Sequence, residues 1–207
     1  VSTLDDSVNF TIETEPRAIS YLTMAVNTNW IAGNSETVTV RGYDQYGNLA
    51  TNSTSSIQLS GVVTSTLRTT PATGVLPLTN GVAVYTALDT LAQSLIQLRA
   101  QVQGLGTEVL SQALNVKHNL AYKFKDSLIT IANTKIGNSR TLTAILLDVY
   151  DNPVKDTSVT FTVISGSGGG TIISANPVMT DSLGRASAVY TAGLSVGLNL
   201  ISVTTNN

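Results

Sequence analysis

The chain of 207 residues has no cysteine, one histidine, one tryptophan and five prolines. Without cysteine, disulfides and thiolate metal sites are excluded, while the compartment stays open. A Ser/His/Asp relay or a histidine-metal centre would have to rest on His118 alone. Charged residues make up only 12% of the chain, and the formal net charge is −2. That balance supplies neither a basic stripe for nucleic acid nor a polybasic patch for a membrane surface. No apolar run approaches the ~20 residues of a membrane span. No signal-peptide pattern opens the chain, which starts at Val1 rather than methionine. The expectation that follows is a fragment of a longer precursor.

What is abundant is serine and threonine, together about a quarter of the residues. Uncharged polar surfaces of this kind are expected of an extracellular β protein. The chain also repeats itself. Residues 33–48, GNSETVTVRGYDQYGN, align with residues 137–152, GNSRTLTAILLDVYDN, at an offset of 104, with eight of sixteen pairs identical. Ala83-Val84-Tyr85-Thr86-Ala87 returns as Ala188-Val189-Tyr190-Thr191-Ala192 at an offset of 105. A period this long is a whole domain in tandem rather than a solenoid unit. Two domains of about a hundred residues each are expected.

Apolar and polar residues alternate with a period of two throughout. Val38 and Val40 alternate with threonines, as do Val159, Phe161 and Val163, and Ile96, Leu98, Ala100 and Val102 keep the same phase. Each run predicts a half-buried antiparallel strand. Asn80-Gly81 predicts a two-residue hairpin turn. Asp44 to Asn48 and Asp148 to Asn152 end strands with side chains suited to Asx-type turns. Thr86–Leu98 tempts as a helix, but its match to Thr191–Val203 argues for a hairpin. About seven short strands per copy predict an all-β chain of two tandem immunoglobulin-like antiparallel β-sandwiches.

Residues 15–118 are expected to form the first domain and residues 119–207 the second, joined by a short junction near Lys117–Tyr122. Ser7–Ile12 aligns with Ala113–His118. Residues 1–14 are therefore expected to hold a strand resembling the end of a preceding repeat, or an extra first strand of the first sandwich.

The second copy resembles the bacterial immunoglobulin-like domain family of invasin/intimin-type surface proteins. The matching stretches are Leu142-Thr143-Ala144 to Asp148, Asn152-Pro153-Val154, Ser158–Val163 and the turn Thr180-Asp181-Ser182-Leu183-Gly184-Arg185-Ala186. The family's Gly-Asn-Pro turn is split between the copies, as Gly47-Asn48 in one and Asn152-Pro153 in the other. The resemblance implies stalks, spacers or adhesive tips on bacterial cell surfaces, and relatives in phage fibres and carbohydrate-active enzymes.

Candidate sites are few. His118 reads as a solvated linker residue, and Asp148 and Asp151 share one turn instead of facing each other across a cleft as glycosidase carboxylates do. Gly166–Gly170 lacks the Lys-Ser/Thr of a phosphate loop and reads as a mobile loop. No catalytic residue and no cofactor is called for. Calcium is the one metal kept open, with Asp44, Asp126, Asp148 and Asp151 as ligand candidates. Trp30 is the weak candidate for ligand binding, a glycan anchor, against the alternative of plain packing. The expected function is a non-enzymatic stalk or spacer of an extracellular bacterial surface protein, with neighbouring immunoglobulin-like domains of the same polypeptide as partners. The alternatives are a module binding a host receptor or glycan, and accessory domains of a secreted carbohydrate-active enzyme or phage fibre.

Overall fold

The computed structural model describes residues 9–62, 66–125 and 133–206. These form eighteen strands and no helix. In chain order the first eleven are β1 (Tyr21–Ala25), β2 (Asn29–Ile31), β3 (Glu36–Tyr43), β4 (Ser56–Gly61), β5 (Arg68–Thr70), β6 (Val75–Pro77), β7 (Val82–Leu88), β8 (Gln93–Ile96), β9 (Leu98–Val102), β10 (Glu108–Leu110) and β11 (Leu114–Lys117). The rest are β12 (Lys123–Phe124), β13 (Ser139–Leu147), β14 (Ser158–Gly166), β15 (Thr171–Ile172), β16 (Val178–Met179), β17 (Arg185–Thr191) and β18 (Asn199–Thr205). The chain divides into two compact units: Val1–Thr28 with Ser35–Ala87 and Ile96–Ala113, and Asn29–Asn34 with Leu88–Leu95 and Leu114–Asn207.

In the first unit one sheet has the order β1-β3-β7-β5 and another β10-β9-β4-β6. The alternation read in the sequence decides which side chains turn inward. Val38, Val40, Ala83 and Tyr85 are buried on the first sheet, and Ile57, Leu59, Leu98, Ala100 and Val102 on the second. Register keeps these sets in phase, with Val38 opposite Tyr85 and Ile57 opposite Val102. The Tyr85 hydroxyl donates to the Ile57 carbonyl at 2.7 Å, bonding one sheet to the other. Burial pushes this phenol up to about 12.

In the second unit the sheet β12-β13-β17-β15 faces β16-β14-β18. Leu146, Ala186 and Ala188 from the first pack with Val159 and Phe161 from the second, joined by Ala121 and Val154. The unit also holds β2-β11-β8, in which β11 runs parallel to β2 with Val116 opposite Trp30. Parallel neighbours need a long connection, which the residues between Ile31 and Leu114 provide. The chain is an all-β protein of immunoglobulin-like sandwiches, as its sequence predicts.

Three expectations differ in detail. Thr86–Leu98 is strand, loop, strand, but not a hairpin: β7 pairs with β3, while β8 pairs with β11. Likewise β17 pairs with β13 and β18 with β14. A hairpin would place both strands in one sheet, whereas here the two apolar faces are needed on different sheets. The strand expected over Ser7–Ile12 is absent from its described part, because residues 9–12 lie in no sheet. Phe10 and Ile12 are 85% and 84% exposed, and alternation alone makes no strand without a partner edge. Residues 1–8 lie outside the described residues. The Gly166–Gly170 segment is exposed at Gly166, Ser167 and Gly169, but Gly168 is buried and Gly170 half-buried, a closer approach than the loose loop its composition suggests. A Cβ at Gly170 would overlap the Tyr190 hydroxyl, and one at Gly193 the Gly168 carbonyl. Glycine is used here for close approach of backbone to backbone and to a tyrosine.

Candidate functional site

The feature with most built chemistry is a turn that occurs twice. In β3 and β13 the last strand residues lead into an aspartate followed four residues later by an asparagine. The Asp44 Oδ1 accepts from the N–H groups of Tyr46 and Asn48, both at 2.9 Å. Its Oδ2 accepts from the Asn48 side-chain amide and the Arg17 N–H, both at 3.1 Å. The Asp148 Oδ1 accepts from Tyr150 and Asn152 N–H at 2.8 and 2.9 Å. Its Oδ2 accepts from the Asn152 side-chain amide at 2.9 Å and the Asn119 N–H at 2.8 Å.

The backbone repeats as closely. Asp44 N bonds Asn48 O and Asp148 N bonds Asn152 O, each at 2.9 Å. Ala50 N bonds Gly42 O and Val154 N bonds Leu146 O, again at 2.9 Å in both. Gly47 has φ +85° and Asp151 φ +67°. Both stand at the left-handed position of the turn, where the first copy has glycine and the second has aspartate, which tolerates that conformation better than most residues.

Electrostatics follow from the bonding. Burial acts to raise the Asp44 carboxyl, but hydrogen bonds from the Asn48 side chain and from the Asn48, Arg17 and Tyr46 N–H groups outweigh it and hold the group at about 2. Asp148 is lowered in the same way, burial being outweighed by donors from Asn152, Asn119 and Tyr150. Asp181 forms a third such turn, in the Asp181–Gly184 stretch. Its Oδ1 accepts from Leu183 and Arg185 N–H at 2.8 and 2.9 Å, and the Arg185 N–H bond leads in lowering its carboxyl.

The second copy's turn has further partners, all within the second unit. The Asn152 Oδ1 accepts from Ala92 N–H, and its amide donates to the Thr90 carbonyl, both at 2.8 Å. The Asn119 amide donates to the Ala32 carbonyl at 2.8 Å. Tyr150 lies where a Cβ on Gly33 would be, so that only glycine fits there, at φ +80°. Asn152 is 2% exposed, whereas Asn48 is exposed. One asparagine thereby ties the 88–95 and 148–154 segments together, and a buried amide satisfied on both atoms specifies position as well as stability. Among the described residues no buried side-chain polar atom lacks a partner.

The other candidates are placed as follows. Trp30 is fully buried in β2 and presents no ring face to solvent. His118 is half-buried instead of solvated, with Nδ1 2.8 Å from the Asn119 carbonyl and Nε2 accepting from Lys155 N–H at 3.3 Å. Of the calcium candidates, Asp44 and Asp148 each already accept four hydrogen bonds, the number a carboxylate's lone pairs provide. Asp151 pairs with Lys123 Nζ at 2.6 Å. Asp126 lies outside the described residues. Among the described residues no three of His, Cys, Asp and Glu converge on one point, and no helix is long and apolar enough to cross a membrane.

The sequence pointed to the Asx-type turns through their Asp-x-x-x-Asn spacing. It missed Asn119, whose amide is recognisable only once Ala32 is beside it. It also missed the outward role of Asn152, because the same asparagine at 48 serves the turn alone.

No protein-family model matches the chain, and no curated protein matches it. Among solved structures it is similar to FdeC, an adhesin of Escherichia coli, at 19% identity and a TM-score of 0.50. That similarity covers 92% of this chain and 62% of the adhesin chain, so the present chain spans less than two thirds of that protein. A β-glucuronidase of Parabacteroides merdae (12% identity, TM-score 0.29) and a β-glycosidase of Bacteroides vulgatus (13%, 0.31) also align, each over 90% of this chain and 23% of theirs. Overlap that loose supports no inference from the glycosidases. The adhesin shares the fold.

Proposed function

We propose that this chain is a non-catalytic stalk or spacer segment of a large extracellular bacterial surface protein, built of tandem immunoglobulin-like domains of the invasin/intimin type. The single observation that carries the reading is the duplicated turn. Its hydrogen-bonded carboxylate, lowered toward full ionisation, is used for holding backbone, and in the second copy it is coupled through Asn152 and Asn119 to further segments of chain. Chemistry of this kind builds structure and supplies no reacting group. A general acid or base needs an unsaturated carboxyl or imidazole within reach of substrate, and the four acceptor positions of Asp148 are already used. The fold shared with an adhesin agrees with a surface location.

The competing reading is a receptor- or glycan-binding module, favoured by FdeC being an adhesin. Loops at a sandwich end carry such a role when the scaffold fixes them. The two are separated by applying the intact chain to glycan arrays and to host cells. The stalk reading expects no saturable, competable binding to either; saturable binding that free glycan or unlabelled chain displaces would replace it with the adhesive one.

A further inference from the structure

The chain carries both halves of a contact it makes once internally. Around Asn152 the internal contact has three parts: Tyr150 on Gly33, the Asn152 amide on the Thr90 carbonyl, and Ala92 N–H on the Asn152 oxygen. The turn half recurs at Tyr46 and Asn48 with the same backbone and carboxylate bonding, but there Tyr46 is 67% exposed and Asn48 is exposed too. Arg17 stands over the Tyr46 ring at 5.5 Å.

The receiving half recurs as well. Gly33 corresponds to Gly137, which has φ +71° and only Leu194 near its absent Cβ, at 3.7 Å. Gly33 N–H bonds Asp89 O at 2.8 Å, and Gly137 N–H bonds Gly193 O at 3.2 Å. Asn34 N–H bonds Ile31 O at 2.9 Å, and Asn138 N–H bonds Lys135 O at 3.1 Å. With Gly33 and Asp89 matched to Gly137 and Gly193 by these bonds, Thr90 and Ala92 correspond to Leu194 and Val196 at the same offset of 104. Residues 194–198 are all exposed, including Leu194, Val196 and Leu198 at 81–92%, as expected of a surface that is covered when in use.

From this duplication we infer that the Asp44–Asn48 turn is a docking surface for the 192–198 loop end of a second copy of this chain, in head-to-tail order. In that contact Tyr46 lies on Gly137, the Asn48 amide donates to the Leu194 carbonyl, and Val196 N–H donates to the Asn48 oxygen. This deepens the stalk reading and rests on it, since units in series need ends that recognise one another. The contact is heterologous and does not close on itself, so it adds copies linearly. With few bonds it is weak between separate molecules. Domains within one polypeptide meet at millimolar effective concentration, where weak contacts suffice.

The test uses the intact, isotope-labelled chain and follows its amide resonances as concentration is raised from roughly ten micromolar to roughly one millimolar. The expected result is concentration-dependent shifts confined to Tyr46–Leu49, Gly137 and Leu194–Leu198, with apparent affinity reduced roughly tenfold in Asn48→Ala and also reduced in Tyr46→Ala. Both positions are exposed, so the variants keep the fold, which their unshifted core resonances verify. Absence of shifts at millimolar concentration, shifts centred elsewhere, or shifts unchanged in both variants would overturn the inference. None of these outcomes bears on glycan or cell binding, so a failure here is distinguishable from failure of the stalk reading.

Discussion

The Asp44–Asn48 and Asp148–Asn152 turns share their carboxylate bonds, their backbone bonds and their left-handed position, yet one asparagine is buried and the other exposed. The turn is therefore a self-sufficient local structure, set by aspartate accepting from the N–H groups two and four residues on. What each turn does beyond holding itself depends on what stands next to it. Asn152 has Thr90 and Ala92 within hydrogen-bond distance. The bonds within the turn were in the sequence; those leaving it were not.

The second turn is disturbed most forcefully from the core beneath it. Phe161 is buried with Leu146 and Val154, residues that flank the Asp148–Asn152 turn on either side. Phe161→Ala should destabilise that unit by about 3–5 kcal/mol, read by denaturant unfolding. A loss under about 1 kcal/mol would remove Phe161 from the core.

Next in size is Asn152→Ala, which leaves the Ala92 N–H and the Thr90 carbonyl without their partner. A loss of about 2–3 kcal/mol is expected, in the range for unsatisfied buried polar groups. Hydrogen exchange at Ala92 N–H should accelerate in the variant, because that proton has Asn152 as its acceptor. An unchanged exchange rate would mean that water or another acceptor serves equally.

Acid should weaken both turns by the same mechanism. Asp44 is held at about 2 and Asp148 is also lowered, against roughly 3.9 in an unfolded chain. Folded values below unfolded ones mean that the unfolded chain takes up more protons as the pH falls. The stabilisation is complete above about pH 4 and is lost as the pH drops through that value toward about pH 2. Thermal unfolding across this window should show Tm falling with acidification, and Asp148→Asn should flatten the fall. An identical slope in the variant would assign the acid sensitivity to other carboxyls.

Legibility followed the range of the interaction. Strands such as β3, β7 and β14 were readable because their pattern is local and binary. The Asn80-Gly81 turn was readable too: both residues have positive φ, and Thr79 and Val82 exchange backbone bonds at 2.9 and 3.0 Å. Which strand pairs with which was not readable at Thr86–Leu98, since the same alternation suits a hairpin and a crossing between sheets. Gly166–Gly170 was legible only in part, because exposed loop positions such as Gly169 and close contacts such as Gly168 and Gly170 both call for glycine. Trp30 was open in the sequence between a weak role as a glycan anchor and plain packing; the ring is buried, as packing requires, in a parallel strand pair that the second copy's described residues do not repeat.

The smallest expected effect is also the most informative. Asn48→Ala removes only the bond to Asp44 on an exposed turn, and its cost should stay within about 0.5 kcal/mol. The direct test of the account is the pair of variants Asn48→Ala and Asn152→Ala, each made singly in the same intact chain and compared by denaturant unfolding. A loss at Asn152 several times that at Asn48 is the predicted result. Equal losses would contradict it, because they would mean that the two asparagines do nothing beyond the turns they share.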